Sequence, residues 1–238
     1  MNPVPQPPTP DPRPPPRGVL IFDMDGVLVD VADSYRETIV RTIEHFTGQR
    51  VTRDYIQEVK NRGGFNDDWA LSNKIIRDLG TRARYRDVAE YFQRLFLGEN
   101  GDGLILQEKW TARDGLLERL AASWRLAIFT GRTRQEARLT LDRFAPRLPF
   151  DPVVGNKDVG KLKPAPDGIF KVREAHPGLD ATYIGDNIDD GRSAHAAGVP
   201  FIGICSEENS RREELAAKFR AEGARAVVAS INELEQVL

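Results

Sequence analysis

Two carboxylates separated by one residue, Asp23 and Asp25, end the apolar run Val19-Leu20-Ile21-Phe22. An extended backbone turns alternate side chains to the same side, so both acids would project together from the C-terminal end of a buried strand. In open α/β sheets that edge is where ligands bind. Paired acids of this kind can divide the work of a nucleophile and a proton carrier. Gly26 lets the chain turn away at once. A plain polar turn would use the same residues. A calcium loop counted from Asp23 fails, because Leu28 stands where Gly is needed and Ser34 where Glu is needed.

Three later segments carry matching chemistry: FTGR at residues 129–132, KLKPAPD at residues 161–167 and GDNIDD at residues 185–190. Each follows an expected strand, namely residues 126–129, Val153-Val154 and residues 182–184. A parallel sheet would gather these strand ends on one edge. Phosphoryl transfer needs an in-line nucleophile, neutralised equatorial oxygens and a proton for the departing alkoxide. Asp23 suits the first role, through an aspartyl phosphate, and Asp25 suits the last. Because these two acids need opposite protonation states, their environments are expected to separate their pKa values.

Thr130 offers a hydroxyl and Gly131 a backbone N–H to a phosphate oxygen, though an ordinary helix cap would use the same pair. Arg132 adds charge there, or serves a structural ion pair. Asp23 and Asp186, together with Asp190 if it joins them within about 4 Å, would repel one another by several kcal/mol at an effective dielectric near 20. Such a cluster calls for a cation, and oxygen ligands beside a phosphate favour Mg²⁺. Ile188 has no ligand oxygen at the third position of a calcium loop, which argues against that ion.

With four segments in this order, the sequence resembles the haloacid dehalogenase-like hydrolases, across all four signature motifs of that superfamily. The resemblance implies a doubly wound, Rossmann-like α/β core with an inserted all-helical cap, and Mg²⁺-dependent phosphatase activity on a small phosphorylated metabolite. It also implies that Asp23 and Asp186 hold the metal by their side chains and Asp25 by its main-chain carbonyl. Asp190, at the end of a GDxxxD pattern, would orient the metal's surroundings; whether Asp189 or Asp190 lies nearer stays open. Lys163 rather than Lys161 takes the cationic role, because it begins the KPxPD pattern of the third motif. A phosphomutase shares this core. A dehalogenase would not need Mg²⁺, and the intact pair of acids argues against one. From another class, a receiver-like or scaffolding protein could carry phosphate on Asp23 without turnover, but a receiver lacks a helical insertion after its first strand. General similarity points toward phosphoglycolate phosphatase-like enzymes. The GGFNDDW stretch resembles a branch associated with histidine-biosynthesis proteins, and neither comparison fixes a substrate.

The elements that must position these residues are readable from periodicity. Tyr35, Ile39, Ile43 and Phe46 keep the beat of an amphipathic helix that Gly48 stops. Shorter helices are expected around Ile56, Ile75 and Phe92. Residues 33–111 therefore read as a helical cap without strands, inserted into a core of residues 18–32 and 112–238. From Asp114 helix and strand alternate, as a doubly wound sheet requires. Capping boxes are expected at Thr133 with Glu136, Ser210 with Glu213 and Ser230 with Glu233. Arg134, Arg138 and Arg143 form a basic stripe that reads as a solvated face. Within the cap, KNRGGFNDDW at residues 60–69 is the least generic stretch. By likeness to capped phosphatases, Lys60, Arg62 and Asn66 are expected to read the leaving group, with Trp69 packed behind them.

Size and charge narrow the classes further. The 238 residues hold one generous domain or a core with an insertion, and the net charge of −2 gives no footprint for nucleic acid or an anionic membrane. No apolar run approaches the roughly 20 residues of a membrane span. The single Cys205 excludes an intrachain disulfide, and a cytoplasmic location is expected. Nine prolines in the first 16 residues make residues 1–17 an extended tail rather than part of a core. The oligomeric state is not legible, and a monomer is compatible with everything above.

Overall fold

The computed structural model describes residues 15–65 and 67–238; the proline-rich residues 1–14 and Asn66 lie outside the described residues. In chain order the strands are β1 (Val19–Phe22), β2 (Val29–Asp30), β3 (Lys109–Trp110), β4 (Arg125–Phe129), β5 (Phe150–Val154), β6 (Ala181–Gly185), β7 (Phe201–Ile204) and β8 (Ala226–Val228). Six of them form one parallel sheet in the order β5-β4-β1-β6-β7-β8. Helices follow the strands as α1 (Tyr35–Thr47), α2 (Arg53–Asn61), α3 (Asp68–Asp78), α4 (Tyr85–Leu97), α5 (Leu116–Ser123), α6 (Arg134–Phe144), α7 (Asp167–Ala175), α8 (Ile188–Ala197) and α9 (Arg212–Ala221).

All four residues of β1 are fully buried, as a central parallel strand covered on both faces requires. Its side chains alternate between two cores. Leu20 and Phe22 join one apolar cluster, Val19 and Ile21 the other. From β1 the chain winds outward through β4 to β5, then crosses back to β6 on the other flank of β1. The winding direction therefore reverses beside β1, the place where such sheets open a crevice.

Between β2 and β3 come the four helices α1 to α4, packed mainly through contacts among α1, α3 and α4. The cluster holding Leu20 and Phe22 continues through Val29 and Val31 into Tyr35, Ile39, Phe92 and Phe96, so insert and sheet share apolar packing. Gly48, at φ 70°, ends α1 in the left-handed conformation that a side chain disfavours.

Two expectations are corrected here. The stretch read as strand-free contains β3, whose Trp110 and Lys109 pair antiparallel with Val29 and Asp30. Two residues are too short to show alternation, and partnership with a distant segment is what makes them a strand. Ser210 does not cap α9, which lacks a side-chain cap; its hydroxyl donates instead to Asp54 Oδ1 of α2 at 2.7 Å. The Thr133–Glu136 capping box is present in full. Ser230 accepts from Asn232 N–H ahead of a 3₁₀ turn, residues Ile231–Gln236.

Candidate active site

Register assembles the site. Phe22 of β1 is level with Ile128 of β4 and Ile184 of β6, so Asp23 sits beside Phe129 and Gly185, one step before Thr130 and Asp186. The Asp23 N–H donates to Ile184 O at 2.8 Å, and the Thr130 N–H to Val154 O at 3.0 Å, which carries the ladder up to the functional residues themselves. Gly26 turns the chain at φ 72°. A Cβ there would lie 1.9 Å from Asp186 Oδ2, so the glycine is what lets Asp186 approach the turn.

Asp23, Asp186 and Asp190 each bring a carboxylate oxygen within 4.8 Å of the others. Lys163, whose side chain is 1 % exposed, answers two of them, with Nζ 3.2 Å from Asp23 Oδ1 and 2.8 Å from Asp190 Oδ1. The ammonium also lies over the rings of Phe129 and Tyr183, at 4.9 and 5.3 Å. Asp190 has little capacity left. Its Oδ1 lies 2.9 Å from the Tyr183 hydroxyl, and its Oδ2 accepts from the Asn187 N–H at 3.0 Å. Asp189 points elsewhere, its Oδ2 accepting from the Gly64 N–H of the insert at 2.7 Å. Asp190, not Asp189, is therefore the acid of the cluster.

Burial dominates the electrostatics. It pushes Asp23 up to about 7, with the Lys163 charge working the other way and Asp190 and Asp25 adding to the rise. Burial likewise raises Asp186 well above the carboxylate range, reinforced by Asp23 and Asp190. Burial disfavours the charge of Lys163, but Asp190 and Asp23 outweigh it and raise the ammonium. Lys163 thus answers two of the three clustered acids, and Asp186 feels the positive charges of Arg36 and Lys60 at longer range. The donor set is oxygen throughout, and Asp186 has no ion-pair partner among the described residues. These residues fit a small, hard divalent ion.

The acids open into a cavity of about 50 Å³, lined among others by Asp23, Asp25, Asp186, Gly131, Lys60 and Arg36. Thr130 is buried, its Oγ1 accepting from the Arg132 N–H at 3.3 Å. Arg132 also lines the cavity, but its guanidinium is fully buried and turned onto Asp25, with Nε donating to Oδ1 at 2.7 Å. The expected phosphate contact thus meets a guanidinium already held by carboxylates. Lys60 reaches the cavity, paired with Asp68 Oδ1 at 2.8 Å; burial opposes its charge, and Asp68 outweighs the burial. Trp69 lies beside it in the lining. Arg62, expected to read the leaving group, is outside the lining; its side chain is 65 % exposed and pairs with Glu58 at 2.6 Å along α2. Helical periodicity explains the split, since residues two apart point to different faces. Asn66 falls outside the described residues.

Sequence reasoning passed over Arg36, Gln57 and Asn156 of the lining, and Glu108 behind it. Arg36 had a signal: a cation in the first turn of a helix that starts just after two acids at a strand end. Glu108 had none. The insert is tied down over this edge by the Gly64–Asp189 contact, by Lys218 Nζ on Asn61 O at 2.7 Å, and by Arg211 on Glu58 at 3.1 Å.

The sequence matches the haloacid dehalogenase-like hydrolase family over residues 20–204, from β1 to the end of β7 and through all four converging segments. The chain belongs to the haloacid dehalogenase-like hydrolases. A phosphoglycolate phosphatase of Cereibacter sphaeroides is 24% identical over 183 residues, covering 76% of this chain and 82% of that protein. An imidazoleglycerol-phosphate dehydratase of Phytophthora nicotianae is 30% identical over 199 residues, 79% of this chain; the chain spans only 43% of that protein's length. Among solved structures, a subfamily IA hydrolase of the superfamily from Geobacter sulfurreducens superposes with a TM-score of 0.61 at 21% identity, covering 93% of this chain and 96% of that one. This fold is thus shared with a hydrolase of the same family, and no helix of the described residues is long and apolar enough to cross a membrane.

Proposed function

We propose that this hydrolase is a Mg²⁺-dependent phosphatase that cleaves a small phosphorylated metabolite through an aspartyl-phosphate intermediate. The observation that carries the reading is Asp23, ion-paired to a buried Lys163 and grouped with Asp186 beside a small cavity that Asp25 also lines. Lys163 works against the burial that pushes Asp23 up to about 7, and so favours the ionised form that a nucleophile requires. A carboxylate oxygen of Asp23 bonds to phosphorus as the ester oxygen leaves, and Asp25 gives that oxygen its proton. Asp25, now ionised, takes a proton from water; the water oxygen bonds to phosphorus, and the acyl-phosphate bond breaks to free phosphate and Asp23. Thr130 and the Gly131 N–H are assigned to the phosphoryl oxygens. Asp23 and Asp186, with the Asp25 carbonyl, would hold Mg²⁺, which when bound neutralises charge on the phosphoryl group.

The leaving group is assigned to Arg36 and Lys60. Arg36 is half-buried, has no ion-pair partner among the described residues, and lines both the cavity and an adjoining cleft of about 480 Å³. An uncommitted cation at that junction suits a substrate with a second anionic group, and phosphoglycolate, named for the Cereibacter relative, is one such ester. Purified protein is expected to hydrolyse members of a metabolite phosphate panel with Mg²⁺, to stop in EDTA and to resume when Mg²⁺ is restored. Zero turnover across that panel overturns the phosphatase reading in favour of a non-hydrolytic role. Arg36→Ala is expected to lower kcat/KM about 10- to 100-fold on phosphoglycolate and to leave glycerol phosphate within about threefold. Equal losses on the two esters would assign Arg36 to offsetting the acid cluster rather than to the leaving group.

A further inference from the structure

Asp25 must aim one oxygen at the ester bond, yet it follows a strand end in a turn, where nothing in the backbone fixes its side chain. What holds it is a buried arginine. The Arg132 side chain is 0 % exposed, one of the largest fully buried side chains in the protein. Nε and Nη2 both reach Asp25 Oδ1, at 2.7 and 2.5 Å. The same Nη2 lies 2.7 Å from Glu108 Oε1. Nη1 donates to Thr140 Oγ1 at 2.7 Å, and that hydroxyl donates to Glu108 Oε2, also at 2.7 Å. Arg132, Glu108 and Thr140 therefore close a ring, and of the two carboxylates held by that guanidinium Asp25 is the one open to the cavity; its side chain is 26 % exposed against 1 % for Glu108.

The guanidinium is stacked as well as bonded, with two aromatic rings whose centroids are 4.0 Å apart on one side of it. It lies 4.9 Å from the ring of Tyr35 and 6.0 Å from that of Phe96, two aromatic side chains of α1 and α4. A planar fork held on its edge by a carboxylate and a hydroxyl, and on its face by aromatic rings, has one orientation available. Oδ1 of Asp25 takes both contacts from that fork. Its Oδ2 is left for the substrate.

We propose that Glu108 and Arg132, linked by Thr140, are positioning residues that fix the Asp25 carboxyl group for proton transfer. This rests on the phosphatase reading, in which Asp25 is the acid. Burying an arginine without a counter-charge is costly, and Glu108 supplies that charge independently of Asp25. Tyr35, Phe96 and Glu108 all lie between β1 and β4, so the helical insert contributes half of the clamp.

Leaving-group chemistry separates positioning from simple structural damage. An alkyl phosphate expels a poor leaving group and needs the proton, whereas p-nitrophenyl phosphate expels a stable phenolate without it. In Mg²⁺-loaded single-turnover mixing, Glu108→Gln is expected to cleave glycerol phosphate about 100-fold more slowly than the parent. The burst of p-nitrophenolate should stay within about threefold of the parent, before a slow steady state in which Asp25 must activate water. Thr140→Val, which removes a link of the ring without changing charge, is expected to show the same pattern at about tenfold. Equal loss on both esters in the variants would overturn the clamp while leaving the phosphatase standing. No cleavage of either ester by the parent would overturn the phosphatase reading itself, and the clamp's role with it.

Discussion

Asp23→Asn is expected to remove phosphate-ester turnover, with kcat reduced by at least about 10⁴-fold, while the protein stays folded. The amide keeps the shape of the carboxylate but cannot form an acyl phosphate. Its position is fixed by neighbours that do not depend on charge: the backbone N–H bonded to Ile184 O and a strand buried on both faces. Stability is expected to hold or to rise in EDTA, because the substitution deletes a carboxylate whose burial already pushes it up to about 7. Added Mg²⁺ should stabilise the variant less than the parent, since one of two side-chain ligands is gone. Phosphate release assays and thermal melts with and without Mg²⁺ test each part. Parent-like turnover by the variant would exclude Asp23 as the nucleophile, and a variant that melted far earlier would make the loss uninformative about chemistry.

The acids were visible in the sequence because their positions are set by strand ends, and strand ends are legible. Four apolar residues run up to Asp23, four up to Thr130, and Tyr183-Ile184 with Gly185 up to Asp186, and a parallel sheet lines these polar ends up whatever else the chain does. The helices α1 and α4 were equally plain, with apolar residues at helical spacing and Gly48 or Gly98 just beyond. Direction within a turn is a different matter. Arg132 follows Thr130 and Gly131 and could face the phosphoryl group or the core by spacing alone. It is the distant Glu108, waiting at the end of a 3₁₀ turn with a buried carboxylate, that draws the guanidinium inward. Nothing local to either residue announces the other.

The same limit applies to the insert. Charge and glycine content singled out residues 60–69, and Lys60 with Trp69 does reach the cavity. Arg62 shares that composition but stands two positions on, where it meets Glu58 one helical turn back. Asp189 and Asp190 pose the problem in miniature. Adjacent acids at the start of α8 point in different directions, one to the Gly64 N–H of the insert and one to Lys163, and helix phase rather than motif spacing divides their roles.

Lys163→Met is expected to be the most damaging single substitution to stability, and its cost should depend on pH in a definite direction. Lys163 is the one cation in ion-pair contact with Asp23 and Asp190 among the described residues. Removing one partner of a buried charge cluster costs about 3–5 kcal/mol, because the remaining carboxylates are left uncompensated. In the folded parent Asp23 titrates near 7, against 3.8 for the free side chain, so between these values the folded protein holds a proton that the unfolded chain has lost. Stability from this group is therefore present at low pH and declines as pH rises from about 4 to about 7. Without Lys163 the folded value moves higher still, and the decline continues to higher pH. Urea unfolding in EDTA should accordingly show a larger penalty for Lys163→Met at pH 8 than at pH 5.5, where protonation removes part of the repulsion. Mg²⁺ at pH 8 should return part of the difference by supplying positive charge to the same oxygens, without restoring turnover, since an ion cannot replace the ammonium that sits against Asp190. A penalty of the same size at both pH values would mean that Lys163 contributes packing rather than charge, and the electrostatic account of the site would have to be given up.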